Sequence, residues 1–326
     1  SCVFADDVCE SCLDGVVLLS DADGDGVCDT DEIAGCQDDT ACNYDPNATD
    51  PCETELINIP NNYSMSFDGV DDYLEIPNSS SLDIGSGSFS LEFWVKKDTP
   101  YNNETTAQII ATYGPGDNGA AGFSVGINGP YYPDYGTGTI HFGLRSSNND
   151  EHHLQTPEEI NITDGEWHYI VAIKDAENSS MSLYFDGDLA DTEVIVSGET
   201  WPDNGLFLGH SYNSPFMDFN IDEFRYWDKA LSEEEIVEYM LCPPSTDDID
   251  LIGYWDFEDI ENSESFLDLS LNANHGIKNG TYYSTSVPDQ ICETSCCTYV
   301  PEGEACAGCT DPNACNFNPT AVENDG

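Results

Sequence analysis

SFSLEFWVKK, residues 88–97, decides the fold class. Phe89, Leu91, Phe93 and Val95 alternate with Ser90, Glu92, Trp94 and Lys96. A period of two puts one set on a buried face of a strand and the other on the opposite face. The alternation recurs outward from this stretch. Phe123, Val125 and Ile127 alternate with Ser124, Gly126 and Asn128, and Ile140, Phe142 and Leu144 with His141, Gly143 and Arg145. Met181, Leu183 and Phe185 do the same around Ser182, Tyr184 and Asp186. Many short strands separated by Gly, Asn and Asp turns predict an all-β, antiparallel two-sheet sandwich. Asp186-Gly187 marks a hairpin, because glycine takes positive φ without a steric penalty. One helix breaks the pattern: ALSEEEIVEYM at 230–240, with Ser232 as N-cap and Glu235 as its reciprocal partner.

The 14 cysteines avoid this block, and none lies between Cys52 and Cys242. Cys2, Cys9, Cys12, Cys28, Cys36, Cys42 and Cys52 crowd one end. Cys242, Cys292, Cys296, Cys297, Cys306, Cys309 and Cys315 crowd the other. An even count in segments too small for a core reads as disulfides formed in an oxidising, extracellular setting. Zinc is the alternative at Cys9-Glu-Ser-Cys12 and Cys306-Ala-Gly-Cys309, whose spacing suits either. The expected organisation is a Cys-rich calcium-binding module at 1–56, the sandwich at 57–289 and a Cys-rich connector at 290–326. Charge narrows the partners: 64 acidic residues against 7 basic give a formal net of −57, which argues against nucleic acid and anionic lipid. Bound divalent cations or a salty medium would screen that repulsion. No apolar run of about 18 residues is present to span a membrane. No signal peptide or initiator Met opens the chain, so a mature product or a fragment of one is expected.

SMSFDGVDDYLEIP (64–77), SFSLEFWVKK (88–97), DGEWHYIVAIKD (164–175), SLYFDGDL (182–189), LFLGHS (206–211) and IDEFRYWDKALSEEEI (221–236) occur in this order. Together they resemble laminin-G-like domains of the concanavalin A-like class. The resemblance implies a two-sheet jelly roll. It also implies a structural calcium joining the first and last strands, with Asp68 and Asp222 as the candidates; Asp71 and Asp72 crowd the turn at Asp68. The alternative is carboxylates held by solvent or backbone. GYWDF (253–257) with LDLSLNANHGIKNG (267–280) looks like a companion segment that supplies further strands. Both ends are similar to GCTDPxACNYDPxAT repeats of bacterial secreted and surface proteins.

DADGDGVCDTDE, residues 21–32, fills the oxygen positions of a twelve-residue calcium loop with Asp21, Asp23, Asp25, the Val27 carbonyl, Asp29 and Glu32, and Gly26 takes the turn. It resembles thrombospondin type 3 and dockerin-type loops, and calcium is the expected cofactor. Asp45, Asn47 and Asp50, and later Asn316 and Asn318, form weaker oxygen sets that serve either a second calcium or Asx turns at Pro46 and Pro319. Tyr131, Tyr132, Tyr135 and Trp201 offer aromatic faces to a sugar. Trp94, Trp167, Trp227 and Trp255 sit in strand motifs and are expected in the core. Glycosylation candidates are Thr40, in an Asp-Thr-Ala triplet, and the N-x-S/T positions Asn47, Asn62, Asn78, Asn103, Asn161, Asn178 and Asn279. Glycosidase carboxylate spacing, GxSxG and HExxH are absent from the sequence, so no catalysis is expected. His152-His153 reads as a polar surface loop.

GCQDDTACNYDPNATDPC (35–52) and GCTDPNACNFNPTAVENDG (308–326) are near copies, and the second lacks its closing cysteine. Ser1-Cys2 placed after Gly326 would supply it. That predicts a head-to-tail array of units, in one polypeptide or between protomers. The expected function is a non-enzymatic extracellular structural protein, the repeat unit of a bacterial filament or large adhesin, stiffened by calcium and disulfides. A calcium-dependent carbohydrate-binding module is the alternative. The partners expected are copies of the chain and glycans.

Overall fold

Alternation along the sequence becomes pleat in space. The computed structural model describes residues 9–13, 16–19, 26–39, 41, 44–52, 55–83, 85–99, 108–113, 122–129, 136–145, 151–195, 205–210, 216–260 and 264–294. They fall into two compact units, one of them running from Ile59 to Gln290 and the other made from the segments on either side. In the flanking unit, β1 (Glu10–Leu13) and β2 (Val16–Leu19) form a hairpin, β3 (Ala34–Gly35) and β4 (Asp50–Pro51) pair in parallel, and β5 (Glu55–Asn58) follows. A disulfide joins Cys9 to Cys28. Cys36, Cys52, Cys242 and Cys292 are disulfide-bonded as well.

The unit Ile59–Gln290 holds β6 (Ser64–Asp68), β7 (Tyr73–Ile76), β8 (Phe89–Lys96), β9 (Gln108–Tyr113), β10 (Gly122–Ile127), β11 (Ile140–Arg145), β12 (Glu151–Gln155), β13 (Trp167–Asp175), β14 (Ser180–Phe185), β15 (Asp188–Val194), β16 (Leu206–Leu208) and β17 (Asp218–Trp227). After the helix α1 (Glu233–Leu241) come β18 (Leu251–Trp255), β19 (Ser265–Phe266), β20 (Gly276–Asn279) and β21 (Tyr282–Ser284). The first sheet has the order β12-β11-β10-β9-β16-β7-β20-β19. The second has the order β15-β14-β13-β8-β17-β6-β21, with β18 added beside β17. Neighbours in both are antiparallel, which makes the unit a jelly-roll sandwich. β22 (Ile291–Thr294) then pairs with β5. The Ile59 N–H donates to the Gln290 carbonyl at 3.4 Å, so the chain enters and leaves the sandwich at neighbouring points.

Phe89, Leu91, Phe93 and Val95 are fully buried, as their spacing predicts, and pack with Val125, Ile127, Ile140 and Phe142 of the first sheet. The alternate residues depart from the expectation of a single buried face. Ser90 and Glu92 are fully buried too. The cause is a third layer. Tyr169, Val171, Trp227, Leu231, Ile236 and Leu251 form a second apolar cluster, with Ile236 of α1 packed into it. Strands β8, β13 and β17 are therefore covered on both faces. The expected capping box starts α1: the Glu235 N–H donates to Ser232 Oγ, and the Ser232 N–H donates to the Glu235 carboxylate. Asp186 and Gly187 both take positive φ, 51° and 87°, in the tight turn between β14 and β15. Among the described residues no helix is long and apolar enough to cross a membrane.

Candidate functional site

The outer face of the first sheet carries the most open chemistry. On β10 and β11 the inward positions are Phe123, Val125, Ile127, Ile140, Phe142 and Leu144, all buried. Period two then turns Ser124, Gly126, His141, Gly143 and Arg145 outward. Gly143 leaves a gap in that surface. A groove of about 180 Å³ opens there, lined by Thr112, Ser124, Arg145, Glu151 and His153 around Gly143. A Cβ added at Gly143 would lie 3.2 Å from both His153 Nδ1 and Ser124 Oγ, so these two polar groups meet over the glycine. Arg145 pairs with Glu151 at 3.2 Å on the groove wall. His141 fills the next gap, its Cε1 2.8 Å from where a Gly126 Cβ would stand. Burial, and then the nearby His153 charge, lower its pKa to about 4. It is therefore neutral at physiological pH, and its Nδ1 is closed off from solvent with no hydrogen-bond partner.

The same face continues onto an aromatic platform. In register, Thr112 of β9 stands beside Phe207 of β16, and Phe207 beside Glu75 of β7. Phe207, Tyr73, His210 and Phe216 are half-buried. The His210 ring centroid lies 5.1 Å from that of Tyr73, 6.0 Å from Phe207 and 5.6 Å from Phe216. Groove and platform thus offer polar donors and acceptors next to exposed ring surface.

At the turn before Tyr73, the carboxylates of Asp68, Asp71 and Asp72 lie within 4.8 Å of one another. The Asp72 carboxylate accepts the Asp68 N–H at 2.7 Å, and Asp68 accepts the Val70 N–H at 2.8 Å. Burial raises the Asp72 pKa, opposed by the Asp68 N–H and reinforced by the charges of Asp68 and Asp71. Such an all-oxygen, mutually repelling donor set fits a hard divalent cation. Asp222 does not join it. Strand pairing places Asp218, not Asp222, opposite Asp68. Asp222 is fully buried and accepts from Asn61 Nδ2 at 3.0 Å and from the Glu223 N–H at 2.9 Å.

Two carboxylates do converge, but away from solvent. Glu92 accepts from Arg225 and from Trp227 Nε1, each at 3.1 Å, and from the Tyr169 hydroxyl. Glu223 accepts from Arg225 and, at 2.6 Å, from the Tyr254 hydroxyl. Burial works against the Arg225 charge, yet Glu223, Tyr254 and Glu92 outweigh it and raise its pKa further. Glu92 and Arg225 are wholly inaccessible and Glu223 is 4% exposed. No substrate reaches this pair, so it holds the sheet rather than serving as an acid–base couple.

A family model described as the concanavalin A-like lectin/glucanases superfamily, of the laminin-G type, matches residues 68–237. The chain belongs to this superfamily. A Bacteroides ovatus protein described as a candidate carbohydrate-binding protein superimposes with a TM-score of 0.53 at 15% identity, covering 74% of this chain. The match spans 62% of the Bacteroides chain's length. A heptameric SAP-like pentraxin from Limulus polyphemus gives a TM-score of 0.45 at 14% identity, over 69% of this chain and 96% of its own. No curated protein sequence matches the chain.

The superfamily fold accounts for several sequence candidates and corrects others. Trp227 and Trp255 are core residues, whereas Trp94 and Trp167 are only partly buried. His152 and His153 lie on strand β12 rather than in a loop. His152 Nδ1 pairs with Glu193 at 3.2 Å, while His153 lines the groove. Of the twelve-residue loop, Asp21, Asp23 and Asp25 lie outside the described residues. Within it Gly26 takes φ +93°, and the Cys28 carbonyl accepts the N–H groups of Asp31 and Glu32. Asp45 Oδ1 accepts from the Asn47 N–H at 2.9 Å, the Asx turn around Pro46. Asp50 begins β4. Asn47, Asn62, Asn78, Asn161 and Asn178 are exposed, and Asn279 is half-buried. Thr40, Asn103, Asn316, Asn318, Tyr131, Tyr132, Tyr135, Trp201 and the cysteines Cys2, Cys42, Cys296, Cys297, Cys306, Cys309 and Cys315 lie outside the described residues. Sequence reasoning missed the groove, because its lining comes from four strands that only the register brings together.

Proposed function

We propose that this chain is an extracellular, non-enzymatic carbohydrate-binding module, with the outer face of the first sheet as its saccharide site. The observation that carries this is one continuous surface: a groove over Gly143 adjoining the Phe207–His210–Tyr73 platform. Sugar rings present C–H faces that suit aromatic rings, and their hydroxyls suit Thr, Ser, His and Glu groups. Calcium would be held by Asp68, Asp71 and Asp72 at the platform's edge, and by the 21–32 loop in the flanking module. Its part there is to neutralise crowded carboxylates and fix the turns that carry them. Disulfides in the flanking unit accord with an oxidising exterior.

The head-to-tail array rests on Cys2 and Cys315, outside the described residues.

Gly143→Leu tests the saccharide site. Its Cβ meets only the flexible tips of His153 and Ser124, so the variant plugs the groove without crowding backbone. On a glycan panel it should lose affinity about tenfold or more, roughly 1.4 kcal/mol, while melting near the parent temperature. Parent-like binding by this variant would exclude the groove.

A further inference from the structure

The 7 Lys and Arg residues and the 6 histidines all lie among the described residues, so every side chain able to carry positive charge can be placed. The cations are already engaged. Lys96, Lys97 and Lys229 pair with Asp98, Asp218 and Glu235 at 3.6, 2.7 and 2.8 Å. Arg225 is enclosed with Glu92 and Glu223. Lys174 donates to the carbonyls of Ser86 and Gly87 at 3.0 and 2.8 Å, and Lys278 to the Tyr283 hydroxyl at 2.9 Å. On the saccharide face Arg145 is the one Lys or Arg, with the His153 imidazole across Gly143 from it, and Glu151 holds Arg145 Nη1 at 3.2 Å within the groove itself. His141 beside it is neutral, and Glu75 adds a carboxylate next to Phe207.

Resting on the saccharide reading above, we infer that this face takes uncharged saccharides and rejects anionic ones, with the Arg145–Glu151 pair as the specificity-determining element. A carboxylate or sulfate on a sugar is normally met by a free guanidinium fork. Here the one fork on the face already has its Nη1 paired with a carboxylate of its own wall, and an incoming anion meets a chain of formal charge −57. Like charge set against like charge supplies the discrimination.

The test uses the whole chain and matched oligosaccharides that differ by one sialic acid or one sulfate, titrated in parallel in millimolar calcium, which fills the chain's own sites, and in chelator, where no cation bridges. At about 10 mM salt the uncharged member should bind at least about tenfold more tightly. The gap should shrink at about 1 M salt, where the screening length falls from about 30 Å to about 3 Å. Glu151→Gln, which frees Arg145, should narrow the ratio. Equal or tighter binding of the anionic member by the parent chain overturns the inference. An unchanged ratio in Glu151→Gln overturns its assignment to the pair. Binding of neither member in either buffer removes the saccharide site and this inference with it, and so separates the two failures.

Discussion

Replacing Arg225 with Met leaves Glu92 and Glu223 charged, close together and sealed from water. Arg225 and Glu92 are fully buried and Glu223 is 4% exposed, so solvent cannot take over the lost partner. Breaking a buried ion network by removing one member costs about 3–5 kcal/mol. Met keeps most of the apolar volume, so the loss reads the electrostatics rather than a cavity. For a domain of this size each kcal/mol shifts Tm by about 2–4 °C, giving a drop of roughly 6–20 °C. Scanning calorimetry of the whole chain measures it. The triple variant Arg225→Met, Glu92→Gln, Glu223→Gln removes both stranded charges and should recover most of the loss. A drop of less than about 2 °C in the single variant, or a triple variant no better than the single, would refute the idea that this network pins β8 to β17.

Three further expectations follow from local geometry. His168 sits between Asp186, at 2.9 Å, and Asp164, at 3.2 Å. Burial alone would lower its pKa, but hydrogen bonds and charge from the two carboxylates outweigh it and raise it. Its contribution is therefore complete below the unfolded value near 6.5 and fades as pH rises through the higher folded value. His168→Gln should flatten that part of the stability–pH curve measured by urea titration, and an unchanged slope would disprove the clamp. Gly280 has φ +81°, and a Cβ there would stand 2.0 Å from Asp72 Oδ1. Gly280→Ala should lower stability by about 1–3 kcal/mol, and a parent-like melting temperature counts against the packing at this turn. Millimolar calcium should raise Tm over chelator, with a smaller shift in Asp72→Asn; an identical shift would place the ion elsewhere.

Much of the fold was legible because it is written locally. Alternation at Phe89–Val95 needs only a two-residue period, and the Ser232/Glu235 box needs only a four-residue window. What covers a strand is not local. Ser90 and Glu92 look solvent-facing in sequence, yet α1 and the Lys229–Leu231 segment leading into it, far along the chain, close over that face. The resemblance implied a calcium shared by Asp68 and Asp222, and β6 does run beside β17. The residue opposite Asp68 is Asp218, four positions before Asp222, because pairing register is not written in either segment alone. The groove shows the same limit. Gly143 is unremarkable among 27 glycines until strand order brings Thr112, Ser124 and His153 around it.

Amide hydrogen exchange on the whole chain, with and without a saturating oligosaccharide from the panel, tests the central claim most directly. The account predicts added protection at β10, β11 and β12 and at β16 and β7, with β13, β14 and β15 of the opposite sheet unchanged. Protection confined to the second sheet or to the flanking unit would contradict it.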